Sequence, residues 1–465
     1  MSPDRLSCLG KPYLGSGEIV RDLRVAVVGA GPAGIYAADI LTKEHEGAHV
    51  DLIERLPAPF GLVRYGVAPD HPRIKEIIKA LHRVIGRDRI RFLGNVEFGA
   101  DLKLEDLRRH YHAVIFATGA ISDRELAIPG IDLPGSYGAA DFVSWYAGHP
   151  DVPREWPLDA RHVAVIGAGN VALDVARMLA KPADEQLTTE IADNVYRGLK
   201  ANQATDVHVF ARRGPAQIKF TPMELRELSH SPNVDVIVHP EGFEIDEASQ
   251  KAINSSKGTR LVVDTLLKYL EAEPTGAAHR IHIHLCHAPV EILGETRVEG
   301  LRTERTELQG DGTVRGTGEY VDTPVQAVYR AVGYLSSNLP GLPFDHQAGV
   351  MPNAGGRVLG MDDEPLPGLY VTGWIKRGPI GLIGHTKSDA AETIANLLAD
   401  IDQLPQPELE DPDAILEHLA ARGATIVDAE GWTKLDAHEL ALGEAAGRER
   451  IKVVPREDML RASRG

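Results

Sequence analysis

The segment Arg24–Gly34, RVAVVGAGPAG, constrains the fold more than any other stretch of this 465-residue chain. A short apolar strand runs into a glycine-rich turn, and a helix follows through about Leu41. Gly29, Gly31 and Gly34 fill the glycine places of G-x-G-x-x-G. The first permits a tight strand-to-helix turn. The second, lacking a Cβ, lets a pyrophosphate approach the backbone. The third lets helix and strand pack closely. Amides at the helix start, aided by the helix dipole, face the phosphates. Val50–Ile53 reads as the next strand, with Glu54 at its end, 20 residues past Gly34. A carboxylate there accepts hydrogen bonds from a ribose diol and repels a 2′-phosphate.

The pattern recurs from His162. VAVIGAGNVALDVARML supplies a strand, a turn with Gly167, Gly169 and Ala172 in the places of G-x-G-x-x-A, and a helix. Ala168, Asn170 and Val171 complete the turn. After a long insertion, about Lys181 to Thr205, the strand Val207–Phe210 leads to Arg212 and Arg213 where the first unit has Glu54. Guanidiniums bind phosphate oxygens through forked, charge-assisted hydrogen bonds. The first unit is therefore expected to hold an adenine dinucleotide without a 2′-phosphate, and the second NADP(H).

Ala113–Gly119 and Gly368–Gly373 read as further strands ending in glycine turns, and Asp123–Pro134 as a crossover. The chain is expected to return to its first domain near Tyr334–Leu342. The expected fold is α/β, with two Rossmann-like dinucleotide-binding domains and the second inserted into the first. The expected divisions are an arm over 1–23, a discontinuous domain over 24–121 and 337–465, and the insertion over 122–336.

Composition removes several classes. With 43% hydrophobic and 25% charged residues the chain reads as globular, and its net charge of -17 argues against a general nucleic-acid binder. Two cysteines, Cys8 and Cys286, form no C-x-x-C pair, so no dithiol centre, zinc site or iron–sulfur cluster is expected. No apolar run approaches membrane-spanning length, and the charged first 23 residues lack a signal-peptide core. A reducing cytoplasm is the expected compartment.

Prolines and glycines mark Leu56–Lys75, LPAPFGLVRYGVAPDHPRIK, as an extended loop. Beyond it, Ile74, Ile77, Ile78, Leu81 and Ile85 recur at helical spacing. Lys75, Lys79, His82 and Arg83, then Arg87, Arg89 and Arg91, make a local basic island in an acidic protein. In RIHIHLCHAPVEI, alternation puts His282 and His284 on one strand face; with no carboxylate or cysteine framework around them, or around His279 and His287, a solvated face is expected rather than a metal site. In Gly373–Lys387 a helix starting near Gly381 points its positive end where a reduced flavin would gain from it. The last sixty residues show short helical patterns and no readable chemistry.

LPAPFGLVRYGVAPDHPRIK, IGAGNVALDVAR, ARRGP, FTPMELREL and GWIKRGPIGLIG together resemble the adrenodoxin-reductase-like ferredoxin–NADP⁺ reductases, the bacterial members above all. The resemblance runs from about Arg24 over nearly the whole chain. It implies an FAD domain split around an NADP domain, with hydride passing from NADPH to FAD N5 and single electrons then passing to a ferredoxin. It places FAD contacts at Ala33, Glu54, Leu62, Val96, Trp374, Gly381, Leu382 and Ile383. It places NADP contacts at Ala168–Val171, Arg212, Arg213 and Glu224, with Gly381 near the nicotinamide. His71 and Glu224 match the family's pair at the flavin–nicotinamide junction, in positioning or electrostatic roles. Two features depart from the family: residues 1–23 have no counterpart that aligns, and with a single cysteine are expected to hold no iron–sulfur cluster of the kind some relatives carry there, and Lys219 and His385 stand at typically uncharged places. Ferredoxins are usually acidic, so a basic docking face of Lys75, Lys79, Arg83, Lys376 and Arg377 is expected. An NADPH oxidase, quinone reductase or flavin monooxygenase is the alternative enzyme, and an FAD/NADP(H) redox sensor the alternative binding protein.

Overall fold

The computed structural model describes residues 22–380 and 383–465. Two parallel sheets carry the architecture. The first has seven strands in the order Asn353–Ala354, Arg357–Leu359, Pro365–Val371, Ala113–Phe116, Leu23–Val28, Ala48–Glu54, Ile90–Gly94. The last five are mutually parallel, and the two short strands add an antiparallel edge. Leu23–Val28 is buried on both faces, so after Arg24 its sequence is a continuous apolar run, Val25–Val28, rather than an alternation. Side chains alternate, so Val25 and Val27 enter one core and Ala26 and Val28 the other.

The second sheet has six parallel strands, in the order Ser136–Gly138, Ala327–Arg330, His162–Ile166, Asp206–Ala211, His279–Leu285, Val234–Val238. Helices cover the face of Val163, Val165, Val207 and Val209. A three-stranded antiparallel sheet, Gly300–Leu308 between His287–Leu293 and Val314–Pro324, packs through Ile292 and Leu301 against Ala164, Ile166 and Phe210 on the other. The two passages between the sheets pair with each other as a short antiparallel ribbon, Tyr334 against Asp123 and Leu335 against Ser122.

The loop after Glu54 is more structured than its prolines and glycines suggest: it contains the helical turns Leu62–Tyr65 and Pro72–Lys75. The amphipathic helix is Ile77–Ile85. The C-terminal region forms the helices Ala414–Ala421, Ala429–Ala445 and Arg456–Arg464. It also ties the molecule together. Glu439, wholly buried, takes a bidentate bond from Arg64 at 2.6 and 3.1 Å, and Arg450 adds 2.9 Å. Lys452 reaches Glu190 at 2.6 Å and Arg64 O at 2.7 Å. Among the described residues no helix is long and apolar enough to cross a membrane.

Candidate active site

Both glycine turns have the geometry their spacing predicts. Gly29 has φ +110°, and a Cβ there would lie 2.5 Å from Ala117 O. A Cβ on Gly34 would overlap Gly29 O. At Gly31 the space is open, the nearest atom being Gly61 Cα at 3.9 Å, so no protein atom demands a glycine there. The second turn repeats this. A Cβ on Gly167 would overlap Ala331 O, whereas one on Gly169 meets nothing within 4 Å. Each middle glycine thus fronts a cradle that a side chain would fill. The helices that follow, Pro32–Glu44 and Asn170–Ala180, have no side-chain N-cap, which leaves their first amides to an anion.

Glu54 closes the first cradle. Its carboxylate accepts from the amides of Ala30 at 2.9 Å and Leu56 at 3.1 Å. Burial pushes its pKa up, and the two amides oppose that rise. Ala33 packs under the turn against Gly373, where a Cβ would lie 2.7 Å from Ala33 Cβ, and this brings Trp374 beside the same cradle. Leu62 is half-buried, and Val96, wholly buried, donates its amide to Glu54 O at 2.9 Å. Gly381 and Leu382 lie outside the described residues, and Ile383 opens the helix Ile383–Ala399. At the second cradle Arg212 is exposed and Arg213 half-buried. Arg213 Nε is a buried donor without a hydrogen-bond partner, as a phosphate-binding group would leave it. Lys219 sits on the lip of this turn, its amide donating to Ala168 O at 2.8 Å and its side chain exposed.

The two halves meet at His71. This buried imidazole, on the loop of the first half, is surrounded by carboxylates of the second. Nε2 is hydrogen-bonded to Asp174 Oδ1 at 2.9 Å, with Glu224 Oε2 also 2.9 Å from it, and Glu227 Oε2 forms an ion pair with Nδ1 at 2.8 Å. Burial alone would lower its pKa, but Asp174 and Glu224 outweigh burial and the nearby Arg177, pushing it up to about 10. His71 is therefore an imidazolium at neutral pH. Arg177 Nη2 lies 2.7 Å from Nε2 but is held by Asp70 at 2.9 Å and Asp174 at 2.8 Å. Burial would raise Asp70, but Arg177 and Lys181 hold it well below the usual carboxylate range. Glu224 Oε2 is off the hydrogen-bond line to His71 and has no such partner elsewhere.

Asn170 couples this seam to the second turn. Its Oδ1 accepts from Thr221 N at 2.8 Å, and Thr221 caps the helix Pro222–Glu227 that carries Glu224. Sequence reasoning named His71 and Glu224 but missed Asp70, Asp174, Arg177 and Glu227. A signal was present: Asn170, Asp174, Arg177 and Lys181 form a polar stripe at helical spacing on an otherwise apolar segment.

A family model described as pyridine nucleotide-disulphide oxidoreductase matches residues 23–269. The NADPH:adrenodoxin oxidoreductase of Arabidopsis thaliana mitochondria is 40% identical, over 95% of this chain and 96% of that protein. NADPH-ferredoxin reductase FprA of Mycobacterium tuberculosis is 41% identical, over 96% of this chain and all of that one. The structure of that FprA in complex with NADPH superposes with a TM-score of 0.89 at 40% identity, covering 96% of this chain and 100% of the other.

The chain belongs to the adrenodoxin-reductase-like branch of this oxidoreductase family.

Membership in this reductase branch does not extend the sequence reading of the docking face, two residues of which are misplaced. Lys75 is buried and paired with Glu190. Lys376 is buried against Asp389 at 3.1 Å and Glu392 at 2.6 Å. Both are long cations whose charges are neutralised inside the protein, so neither faces a partner. Arg377 is mostly covered and turned to Ile380 O and Asp389. Only Lys79 and Arg83 of the five are exposed. Of this reductase's two cysteines, Cys286 is buried and its thiol is pushed up to about 11 by burial, so it is inert at neutral pH.

Proposed function

We infer that this protein is an FAD-dependent NADPH–ferredoxin reductase, and that its division runs as the sequence suggests, 24–121 with 337–465 for FAD and 122–336 for NADP. The observation that supports it most is the pair of open glycine cradles with opposite selectors: the Glu54 carboxylate at one and Arg212 and Arg213 at the other. Bound FAD supplies the chemistry of taking two electrons together from a hydride donor and releasing them one at a time.

The chain's residues bind and orient. Gly31, the amides after it and Glu54 hold the pyrophosphate and ribose of FAD, with Ala33, Leu62, Val96, Trp374 and the segment from Gly381 to Ile383 around the remainder. Gly167–Val171 take the NADPH pyrophosphate, and Arg212 and Arg213 its 2′-phosphate. Glu224, with a buried carboxylate oxygen lacking a hydrogen-bond partner, fits the carboxamide of a nicotinamide. His71 fixes one half against the other and places a positive charge at their seam, where it would favour the negative charge that a flavin held there gains on reduction. The partner is a ferredoxin, and Lys79 and Arg83, exposed on the helix Ile77–Ile85 with Arg73 just before it, form its docking face. The compartment is the cytoplasm, whose reducing poise suits a chain without a cysteine pair.

The test is anaerobic stopped-flow reduction by NADPH with NADH in parallel, followed by turnover with an acidic ferredoxin. Bleaching by NADPH and salt-sensitive ferredoxin turnover are expected. A flavin that neither nucleotide bleaches would replace the reductase by a sensor. Charge reversal at Lys79 and Arg83 that left the salt dependence of turnover unchanged would remove the docking face.

A further inference from the structure

Among the described residues Lys219 is a cation without a partner: its side chain is exposed, and its ammonium makes no hydrogen bond or ion pair. The cations of the helix Asn170–Ala180 and just beyond it are committed, Arg177 to Asp70 and Asp174, and Lys181 to Asp70.

The backbone sets the side from which Lys219 projects. Lys219 and Gly169 form an isolated parallel bridge, with Lys219 N donating to Ala168 O at 2.8 Å. Two residues on, Thr221 N donates to Asn170 Oδ1 at 2.8 Å, so Lys219–Thr221 runs alongside the turn. Residues paired in a parallel bridge project their Cβ atoms to the same face, and neighbours along an extended chain project theirs to opposite faces. The Cβ that Gly169 lacks would enter the open space of the second cradle, with nothing within 4 Å. Phe220, the next residue, is buried in the core of the second half. Lys219 therefore leaves the backbone on the cradle side of the turn, and its flexible four-carbon stem carries an ammonium with three donors.

Arg212 and Arg213 stand elsewhere, at the end of the strand Asp206–Ala211, whereas Lys219 is bridged to the turn itself. The turn residues Gly167–Val171 carry no charge of their own, so without Lys219 a pyrophosphate would meet only amides and the positive end of a helix. In a chain of net charge -17, a polyanionic dinucleotide is also repelled at long range, and a cation at the mouth of the cradle offsets that.

We propose that Lys219 is a further nucleotide-binding residue, its ammonium paired with the pyrophosphate of NADPH. The proposal rests on the assignment of the second cradle to NADP(H). Pyrophosphate is common to NADPH and NADH, so Lys219 adds affinity for both, and selectivity stays with Arg212 and Arg213.

The experiment titrates the purified FAD-loaded full chain calorimetrically with NADP⁺ and with 2′-AMP, which carries adenosine and a 2′-phosphate but no pyrophosphate. Lys219→Gln should weaken NADP⁺ binding about three- to tenfold at low salt, and the difference should shrink as ionic strength rises from about 0.01 to 0.3 M. The variant should bind 2′-AMP as the wild type does, whereas Arg213→Gln should weaken both ligands. Lys219→Arg should keep most of the NADP⁺ affinity. A second readout needs no variant: acetylation of Lys219 in the wild-type chain, followed by mass spectrometry, should slow when NADP⁺ is bound and not when 2′-AMP is bound. Equal NADP⁺ affinities of Lys219→Gln and wild type at low salt overturn the proposal, as does acetylation that NADP⁺ leaves unchanged. A parallel loss of 2′-AMP affinity in Lys219→Gln moves the lysine to the 2′-phosphate and overturns it too. A wild-type chain that binds neither ligand removes the NADP reading itself, and the proposal with it.

Discussion

The two nucleotide-binding halves use one local device and differ in what lies beyond it. In both, the outer glycine of the turn is required by the protein itself: Gly29 meets Ala117 O, and Gly167 meets Ala331 O. In both, the middle glycine faces open space, at Gly31 and at Gly169. The second strand then ends in a buried carboxylate in one half and in two guanidiniums in the other. The turn is thus the same in both halves, and the residue one strand later is what differs, a carboxylate against two guanidiniums, which on the proposed function is what selects the nucleotide.

The sharpest way to break this comparison is to fill one glycine of each kind. Gly29→Ala should cost about 3 kcal/mol or more, because a positive φ and a backbone contact both oppose a Cβ. A denaturant midpoint shifted with unchanged slope would show it. Gly169→Ala should leave that midpoint nearly unmoved while weakening NADP⁺ binding about tenfold, read by direct titration. Equal stability losses at both sites would mean that the middle glycine is also structural.

Next in size is the selector. Charge-assisted bonds of about 1.5–3 kcal/mol each imply that Arg212→Gln or Arg213→Gln raises the NADPH KM by about 10- to 100-fold. NADH kinetics should not move. Parallel losses with both nucleotides would take the 2′-phosphate away from these arginines.

His71 of the first half and the strand histidines of the second are shifted in opposite directions, which yields two smaller effects. His71 is raised to about 10, so the stability it contributes is complete below its unfolded value near 6.5 and disappears as pH climbs through 10. The difference in melting temperature between wild type and His71→Gln should be largest near pH 6 and shrink toward pH 10. A gap that grew with pH would overturn the charged state assigned to His71. His208, His284 and His287 are lowered to about 3, 2 and 4, mainly by burial. Their contribution is complete above pH 6.5 and is lost as pH falls through those values. Hydrogen exchange at mildly acid pH should accelerate in His279–Leu285 before it does in Leu23–Val28. Simultaneous acceleration would mean that the acid response does not originate in this block.

Much of the fold was legible because its signals are local. Strand, turn, helix and the residue after the next strand lie within about thirty residues in the first half and, across the insertion, about fifty in the second, and each needs a residue type that few alternatives satisfy. His71 and Glu224 were reachable through the resemblance, yet they are 153 positions apart and nothing local pairs them. The errors share a cause. Lys75 and Lys376 read as surface charge because a lysine in a sequence carries no record of its partner; Glu190, Asp389 and Glu392 bury them. His282 and His284 read as solvated because alternation assigns a face but not what lies across it. Cys286, with φ +56°, ends that alternation and turns the chain into the antiparallel sheet.

By itself, then, the sequence determined the two glycine turns and the opposite charges one strand beyond them, since each depends on chemistry near the turn, and the return of the chain near residue 334 signalled the inserted layout. Only the tertiary structure decided which charges meet. It set His71 among Asp174, Glu224 and Glu227, tied Arg64 to Glu439, and packed His208 and His239 onto the strand of His282. The energy of a charge or an imidazole depends on distance and desolvation, and in a folded chain both are set by residues far away in sequence.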